Sequence, residues 1–371
     1  MKKNVILPLS VSFLCFFAVG WFFFFQKRIS LEKDPAPDAP AKPLFVSLPP
    51  DIDAVGRMVS DPKNGRIFIV AKLGDGSHGV WEIDGENTFH ERLRVSDGTF
   101  FTGHIFLNQK GVLYYNSNAP ARLYRSEDYG RTWQIVTEDV GVFWSMADGP
   151  GSLVYAALWS HNQPYLYRSE DDGNSWMLWK NFSQEFPDSA LPYAEGDDRF
   201  RMRHLHDVFV RPDSAVCVGT GDIDRYGVCW NNQEDAWTPI WNEGFTAHMF
   251  DAGMDGVFLG ADRVGGFGIA WHNFSTGETV DVWTPPSGWP GYIYSMMEKE
   301  GRYYAATHVE NNTNHERLSY GVLFSRDGLS WQPLVSFDST EEETELFIAD
   351  HGDRNLLLSH NGSLFEFSLT F

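Results

Sequence analysis

The 371-residue sequence has only three cysteines, and Cys15 sits in an apolar leader, so a disulfide-stapled scaffold is excluded. Basic residues are scarce too. The 29 Lys and Arg stand against 50 Asp and Glu, for a formal charge of −21. Such a surface repels phosphate backbones, so no nucleic-acid partner is expected. Wide contact with anionic headgroups is also disfavoured. After residue 30 no sustained helical periodicity appears. Gly265-Gly266-Phe267-Gly268 is followed by no helix, which excludes a phosphate-binding loop. There is no nucleophile elbow and no His-Glu-x-x-His motif. Aromatic residues are plentiful at 15%, with 14 Trp, and there are 34 Gly. That combination suits short strands joined by tight turns.

The leader carries its own pattern. Lys2 and Lys3 precede an apolar run of 21 residues from Val5 to Phe25, followed by Gln26, Lys27 and Arg28. That length crosses a bilayer as a helix. Ala18-Val19-Gly20 is the nearest approach to a cleavage site, but cutting there would leave Trp21 and four phenylalanines at the new terminus. Residues 1–28 are therefore expected to be a cytoplasmic tip and an uncleaved signal anchor. The flanking charges are nearly balanced and do not set orientation. The remainder is expected on the extracytoplasmic side, because an anchor has little use for a domain left in the cytosol. Residues 29–42 are rich in Pro and charge and form an extended spacer.

Two segments repeat closely. Leu123-Tyr-Arg-Ser126-Glu-Asp128-Tyr-Gly130-Arg-Thr132-Trp133 aligns with Leu166-Tyr-Arg-Ser169-Glu-Asp171-Asp-Gly173-Asn-Ser175-Trp176. A third copy, Leu323-Phe-Ser325-Arg-Asp327-Gly328-Leu-Ser330-Trp331, is one residue shorter, and Asn231 to Trp237 resembles a worn copy. In each, Ser and Asp side chains can accept from turn N–H groups, Gly supplies positive φ, and Trp opens the next strand. These segments resemble the Asp-box of the BNR repeat family, S-x-D-x-G-x-[ST]-W. The resemblance implies a β-propeller in which the boxes are structural turns without a catalytic role.

Four-strand units can be traced around the boxes. Their first strands are expected at Ala54–Ser60, Phe100–Leu107, Val142–Ala147, Arg203–Val210, Ala247–Gly253, Tyr292–Met297 and Glu345–Ala349. The last unit ends after its third strand, Leu364–Leu369, and the strand Pro43–Leu48 has no partner of its own. Together they predict an all-β, seven-bladed propeller over 43–371, closed by the N-terminal strand 43–48, with six or eight blades as alternatives. Cys217 and Cys229 flank a hairpin centred near Ile223. They are expected either as a cross-strand disulfide or as two small buried thiols.

In such propellers the box turns lie on one face. The starts of first strands and the loops after second strands lie on the other. Nine of the 12 histidines fall on that second face: His78, His104, His161, His204, His206, His248, His308, His315 and His360. The densest group is Arg201-Met-Arg203-His204-Leu-His206-Asp207 with Thr220-Gly-Asp222-Ile-Asp224. Candidate catalytic residues are His204, His206, Asp222 and Asp224. Candidate ligand-binding residues are Arg201, Arg203, His104, His248, Arg263 and His308, with Glu310 nearby and Trp144 and Tyr292 as stacking surfaces. Strand alternation puts His204 and His206 on one side and Arg201, Arg203 and Asp207 on the other, so both sets face one ligand only if the strand twists or begins late.

Three functions follow. The resemblance implies glycan recognition or processing, because the repeat family includes sialidases. Val55-Gly-Arg57-Met58 stands where a sialidase carries Arg-Ile-Pro, and no arginine triad with a Tyr–Glu pair is present, so sialidase activity itself is not expected. Histidines from several blades could instead hold a divalent metal, as in a polysaccharide lyase. The third reading is a non-catalytic protein-binding or assembly platform.

Overall fold

In the computed structural model, residues 43–369 are described except 86, 97–102, 119, 139, 161, 193–200, 222–225, 232–233, 242–246, 252–254, 262–267, 311 and 352–354. The expected membrane anchor and spacer lie outside the described residues. Among the described residues no helix is long and apolar enough to cross a membrane.

Twenty-eight strands form seven four-stranded antiparallel blades. After the short β1 (Leu44–Phe45), blade one holds β2 (Ile52–Asp61), β3 (Arg66–Leu73), β4 (His78–Ile83) and β5 (Phe89–Val95). Blade two holds β6 (His104–Leu107), β7 (Leu113–Asn118), β8 (Ala121–Ser126) and β9 (Gln134–Glu138). Blade three holds β10 (Val142–Asp148), β11 (Val154–Trp159), β12 (Tyr165–Ser169) and β13 (Met177–Asn181). Blade four holds β14 (Leu205–Val210), β15 (Val216–Thr220), β16 (Gly227–Asn231) and β17 (Ala236–Trp241). Blade five holds β18 (Ala247–Asp251), β19 (Gly256–Ala261), β20 (Ile269–Asn273) and β21 (Thr279–Trp283). Blade six holds β22 (Tyr292–Lys299), β23 (Arg302–His308), β24 (Leu318–Ser325) and β25 (Trp331–Ser339). Blade seven holds β26 (Leu346–His351), β27 (Asn355–His360) and β28 (Ser363–Ser368), and β1 supplies its outer strand.

The innermost strands neighbour one another in an unbroken circle, β2–β6–β10–β14–β18–β22–β26 and back to β2. Closure joins blade seven to blade one through β1, through a shared apolar cluster and through the Val55 N–H, which donates to Gly362 O at 2.9 Å. Leu44 pairs with Glu366 and Phe45 with Phe365, the Val46 N–H donates to Leu364 O at 2.9 Å, and the Val46 side chain is buried. The core is divided into seven clusters, each lying between two adjacent blades. This explains why second strands such as β7, β11 and β19 read as almost continuous apolar runs: both faces of each blade are covered.

The box turns have the predicted local geometry. Ser126 Oγ accepts the Gly130 N–H at 2.7 Å, and Asp128 accepts the Thr132 N–H and hydroxyl at 2.8 and 2.7 Å. Trp133 Nε1 donates to Gly130 O at 2.9 Å. The turns at Ser169–Trp176 and Ser325–Trp331 keep the Ser-to-Gly and Trp-to-Gly bonds. They also join blades. Trp133 Nε1 reaches Arg92 O of blade one at 2.9 Å, while the Tyr114 hydroxyl and Arg125 Nε of blade two donate to Asp172 O. In the worn copy, Trp237 Nε1 is buried with no acceptor among the described residues. Cys217 and Cys229 stand directly opposite each other on β15 and β16 and form a disulfide.

Burial alone would push the Asp128 carboxyl up, but bonds from Thr132, Ser126 and Arg131 outweigh it and hold the group down, at about 2. Its folded value lies below the ordinary aspartate value of about 3.9, so its stabilising effect is complete above that pH and is lost as pH falls toward 2. Solvent screens this turn, so Asp128→Ala should lower unfolding free energy by only about 1 kcal/mol at neutral pH and by less near pH 2, read by urea denaturation. Removing residues 1–48 should expose the β28 edge and produce dimers or aggregates by light scattering, with a lower Tm. A monomer of unchanged Tm would show that β1 is dispensable.

Candidate functional site

The inner strands of a propeller run nearly along its axis, so their first residues rim one end of the channel. At that end lies a cavity of about 320 Å³, lined from blades one to four and six to seven. It continues down the axis into a second space of about 430 Å³, sharing Arg57, His104, Trp144, His206 and Tyr294. No residue of the three box turns lines either space.

The cavity is built from β-bulges. In four of the seven inner strands, the register slips by one residue at the mouth. The extra residues are Trp144 between Phe143 and Ser145, His206 between Leu205 and Asp207, and Tyr294 between Ile293 and Ser295. In β2, Gly56 and Arg57 together oppose Val70. A bulge leaves one residue out of the ladder and turns it from its expected side. All four displaced side chains, Arg57, Trp144, His206 and Tyr294, line the cavity.

Arg57 sits in the throat. Its guanidinium lies 4.6 Å from the Trp144 ring centroid and 5.4 Å from that of Phe347. Burial pushes it down to about 10, against the opposing pull of Glu345, Tyr294 and Asp207, so it stays a cation at neutral pH. It thus couples blade one to blades three, four, six and seven.

One wall is an aromatic rail. His104 packs on Trp144 with centroids 4.5 Å apart, Trp144 stacks on Trp159 at 5.5 Å, and Trp159 meets His204 at 5.7 Å. Trp159 keeps 36% of its surface exposed. His204 and His206 approach Nε2 to Nε2 at 2.8 Å, a distance that requires a shared proton between them. The opposite wall is acidic. Tyr294 donates its hydroxyl to Glu310 at 2.8 Å, and Glu343 and Glu345 rise beside it from the loop before β26. That loop is tied to the one after β23. Val309 N–H donates to Thr344 Oγ1 at 3.0 Å, Thr344 N–H to Val309 O at 2.9 Å, and Asn312 N–H to Glu342 O at 3.0 Å. Glu345 is exposed as a residue, yet enough protein surrounds its carboxyl that burial pushes it up. Glu343 adds to this and Arg57 opposes it.

Of the two arrangements open for the stretch before β14, the structure shows the late-starting strand. The strand starts only at Leu205 and bulges at His206, so Arg203, His204 and His206 all line the cavity. His104 and His308 join them, and His308 packs on Tyr294 at 3.9 Å and on Tyr292 at 5.6 Å. Arg201 does not line the cavity. Asp222, Asp224, Arg263 and His161 lie outside the described residues, and His248 is placed on β18 opposite Gly260. His78, His315 and His360 bond Tyr115, Thr340 and Tyr320 instead and hold loops in place. Among the described residues no three His, Cys, Asp or Glu are grouped to hold a metal ion, so they do not form the divalent-metal site the lyase reading needs.

Sequence reasoning missed Arg57, Trp159, Tyr294, Glu343 and Glu345. Gly56 inside an apolar strand was a readable sign of a bulge. The glutamates lie in a charge run that reads as solvated surface.

A Cβ at Gly221 would lie 2.1 Å from His206 Nε2 and 3.1 Å from His204 Cδ2. Gly221→Ala should therefore displace the histidine pair while the ring stays folded, costing about 1–3 kcal/mol in urea denaturation. Imidazole nitrogen NMR should show altered His204 and His206 signals. Unchanged signals would mean the pair is not packed on Gly221.

No known protein family and no curated protein matches the sequence. Solved structures do match in fold. The extracellular domain of the hybrid two-component system BT4673 from B. thetaiotaomicron superposes with a TM-score of 0.60 at 13% identity, over 87% of this chain and 39% of that one. This chain thus spans about two fifths of that protein's length. Virginiamycin B lyase from Staphylococcus aureus gives 0.59 at 12% identity, over 89% and 99% of the two chains. YCF48 from Cyanidioschyzon merolae gives 0.54 at 16%, over 88% and 99%. At such identities the likeness establishes the architecture alone: the chain is a seven-bladed β-propeller.

Proposed function

We propose that this protein is a membrane-anchored, extracytoplasmic propeller that binds a glycan at the mouth of its channel. The observation that carries the reading is the aromatic rail facing the glutamates. A sugar ring has an apolar C–H face and a rim of hydroxyls. Trp159 offers a flat exposed surface to the first, and Glu310, Glu343, Glu345 and Arg203 offer hydrogen-bond partners to the second. The volume, about 320 Å³, is at the low end for small-ligand sites and suits one or two sugar units.

Binding is favoured over hydrolysis. Glycoside cleavage needs two carboxyl groups on opposite sides of the scissile bond, and here the glutamates gather on one wall. The Ser, Asp and Gly bonds of the box turns support a place among BNR-type propellers. The disulfide supports an oxidising compartment, as does the leader's signal-anchor pattern. A protein ligand is the second reading. The acidic lip favours it, and YCF48, alike in fold, has been solved with a D1 peptide.

A glycan-array screen of the full chain in detergent tests the main reading. Trp159→Ala should weaken the best ligand about 10-fold, the worth of one aromatic stack. Failure to bind any neutral, basic or acidic glycan would sink the proposal. For the compartment, a reporter fused after Phe371 should be active outside the cytosol, and activity confined to the cytosol would overturn that placement.

A further inference from the structure

The cavity's two walls differ in charge, and the difference selects among sugars. Among the described residues of the lining three glutamates stand against two arginines, and the throat arginine already lies among Glu345 and Asp207. Asp207 itself sits just below, accepting from the Ser145 hydroxyl of blade three. The mouth is therefore acidic on a protein whose formal charge is −21. An anionic sugar would be repelled on approach and again at the lip. A cation would be drawn in.

The lip is also held ready. The Val309–Thr344 bonds and the Asn312 bonds to Glu341 O and Glu342 O fix the loop carrying Glu343 and Glu345 before any ligand arrives. Fixed acceptors lose little freedom on binding. The Glu345 carboxyl is pushed up by burial and by Glu343 even though Arg57 pulls it down, so a further cation at the lip favours its charged form. Across the cavity, the Trp144–Trp159 pair presents a flat surface. A saturated ring covers that flat surface more fully than the thin stem of a lysine, which can also lie along an aromatic face, as Lys180 does over Trp230.

We propose that the ligand is an amino sugar, its saturated ring lying on Trp159 and its protonated amine directed to Glu343 and Glu345. This rests on the glycan reading above and adds the sign of the ligand's charge.

The test is calorimetric titration of the full chain in detergent with three probes of equal length: a β-1,4-linked glucosamine trimer, its N-acetylated counterpart and a galacturonic acid trimer. The amine should bind at least about 10-fold tighter than the acetylated sugar, which has the same ring without the charge. The uronate should show no binding. Raising salt from about 50 to about 500 mM should weaken the amine and leave the acetylated sugar nearly unmoved. The double variant Glu343→Gln, Glu345→Gln should bring the amine-to-acetyl ratio within about twofold, with circular dichroism reporting that the ring is folded. A uronate or acetylated trimer that binds as tightly as the amine overturns the proposal while leaving the glycan reading intact. So does a preference that survives the double variant. If none of the trimers binds, this proposal fails, and the glycan array decides the glycan reading separately. Displacement of the amine trimer by oligolysine at lower concentration would assign the mouth to a basic protein segment instead.

Discussion

A blade in this ring has both faces covered by its neighbours and no core of its own. The seven apolar clusters each belong to two blades, so none is complete until the circle closes. Closure rests on β1, two residues paired with β28, and on Val46 and Ile52 packed in a cluster with Ala349, Leu357 and Leu364 of blade seven. The Val55–Gly362 and Ser359–Val55 bonds complete the join between blades one and seven. Stability of a ring made this way is cooperative around the circle, because opening one interface uncovers apolar surface on both sides of it. The box turns add polar links at the opposite end from the mouth, with Trp133 reaching blade one and Asp172 receiving donors from blade two.

Closing seven blades leaves an axial space that apolar side chains cannot fill without gaps. The protein fills its mouth with polar and aromatic side chains turned inward by bulges. A regular strand would send alternate residues to the two blade faces and none squarely to the axis. One extra residue in β2, β10, β14 and β22 frees Arg57, Trp144, His206 and Tyr294 from that alternation. Arg57 then serves as a hub. Its plane stacks on Trp144 and Phe347, and its charge is shared with Glu345 and Asp207. Removing that cation would leave two carboxylates without their partner in a confined space, which is why the throat and the ring are coupled.

Much of this was readable from the residues. Box spacing located the turns, because it is a local pattern. The orphan strand near Val46 pointed to ring closure. The face bearing His104, His204, His206 and His308 was also predictable, since blade geometry alone separates it from the box turns. What strand periodicity could not show was the slip of one residue in four inner strands. That slip reverses the side on which a residue falls. It turns His206 into the cavity and lifts Arg57 and Tyr294 from core strands into the site, while Arg203 joins them because β14 begins only at Leu205. Only Gly56 left a trace of it in the sequence. The glutamates were hidden for a different reason: Glu341 to Glu345 look like solvated surface until Val309 and Asn312 are seen to hold that loop at the rim.

The division of labour between the two faces follows from the same physics. A box turn consumes its Ser, Asp, Gly and Trp in satisfying its own backbone, so those side chains have nothing left for a ligand. The loops at the other end are tied instead through buried partners such as Thr344 and Asn312, which leaves their carboxylates directed outward. The polar chemistry of the ring therefore accumulates where hydrogen bonds to the scaffold are made from beneath. The rim's charge is set by which residues remain after the throat cation is neutralised. Arg57 lies among Glu345 and Asp207, and with Arg203 counted the described lining still carries more carboxylates than guanidinium groups, which defines the sign of what the mouth attracts.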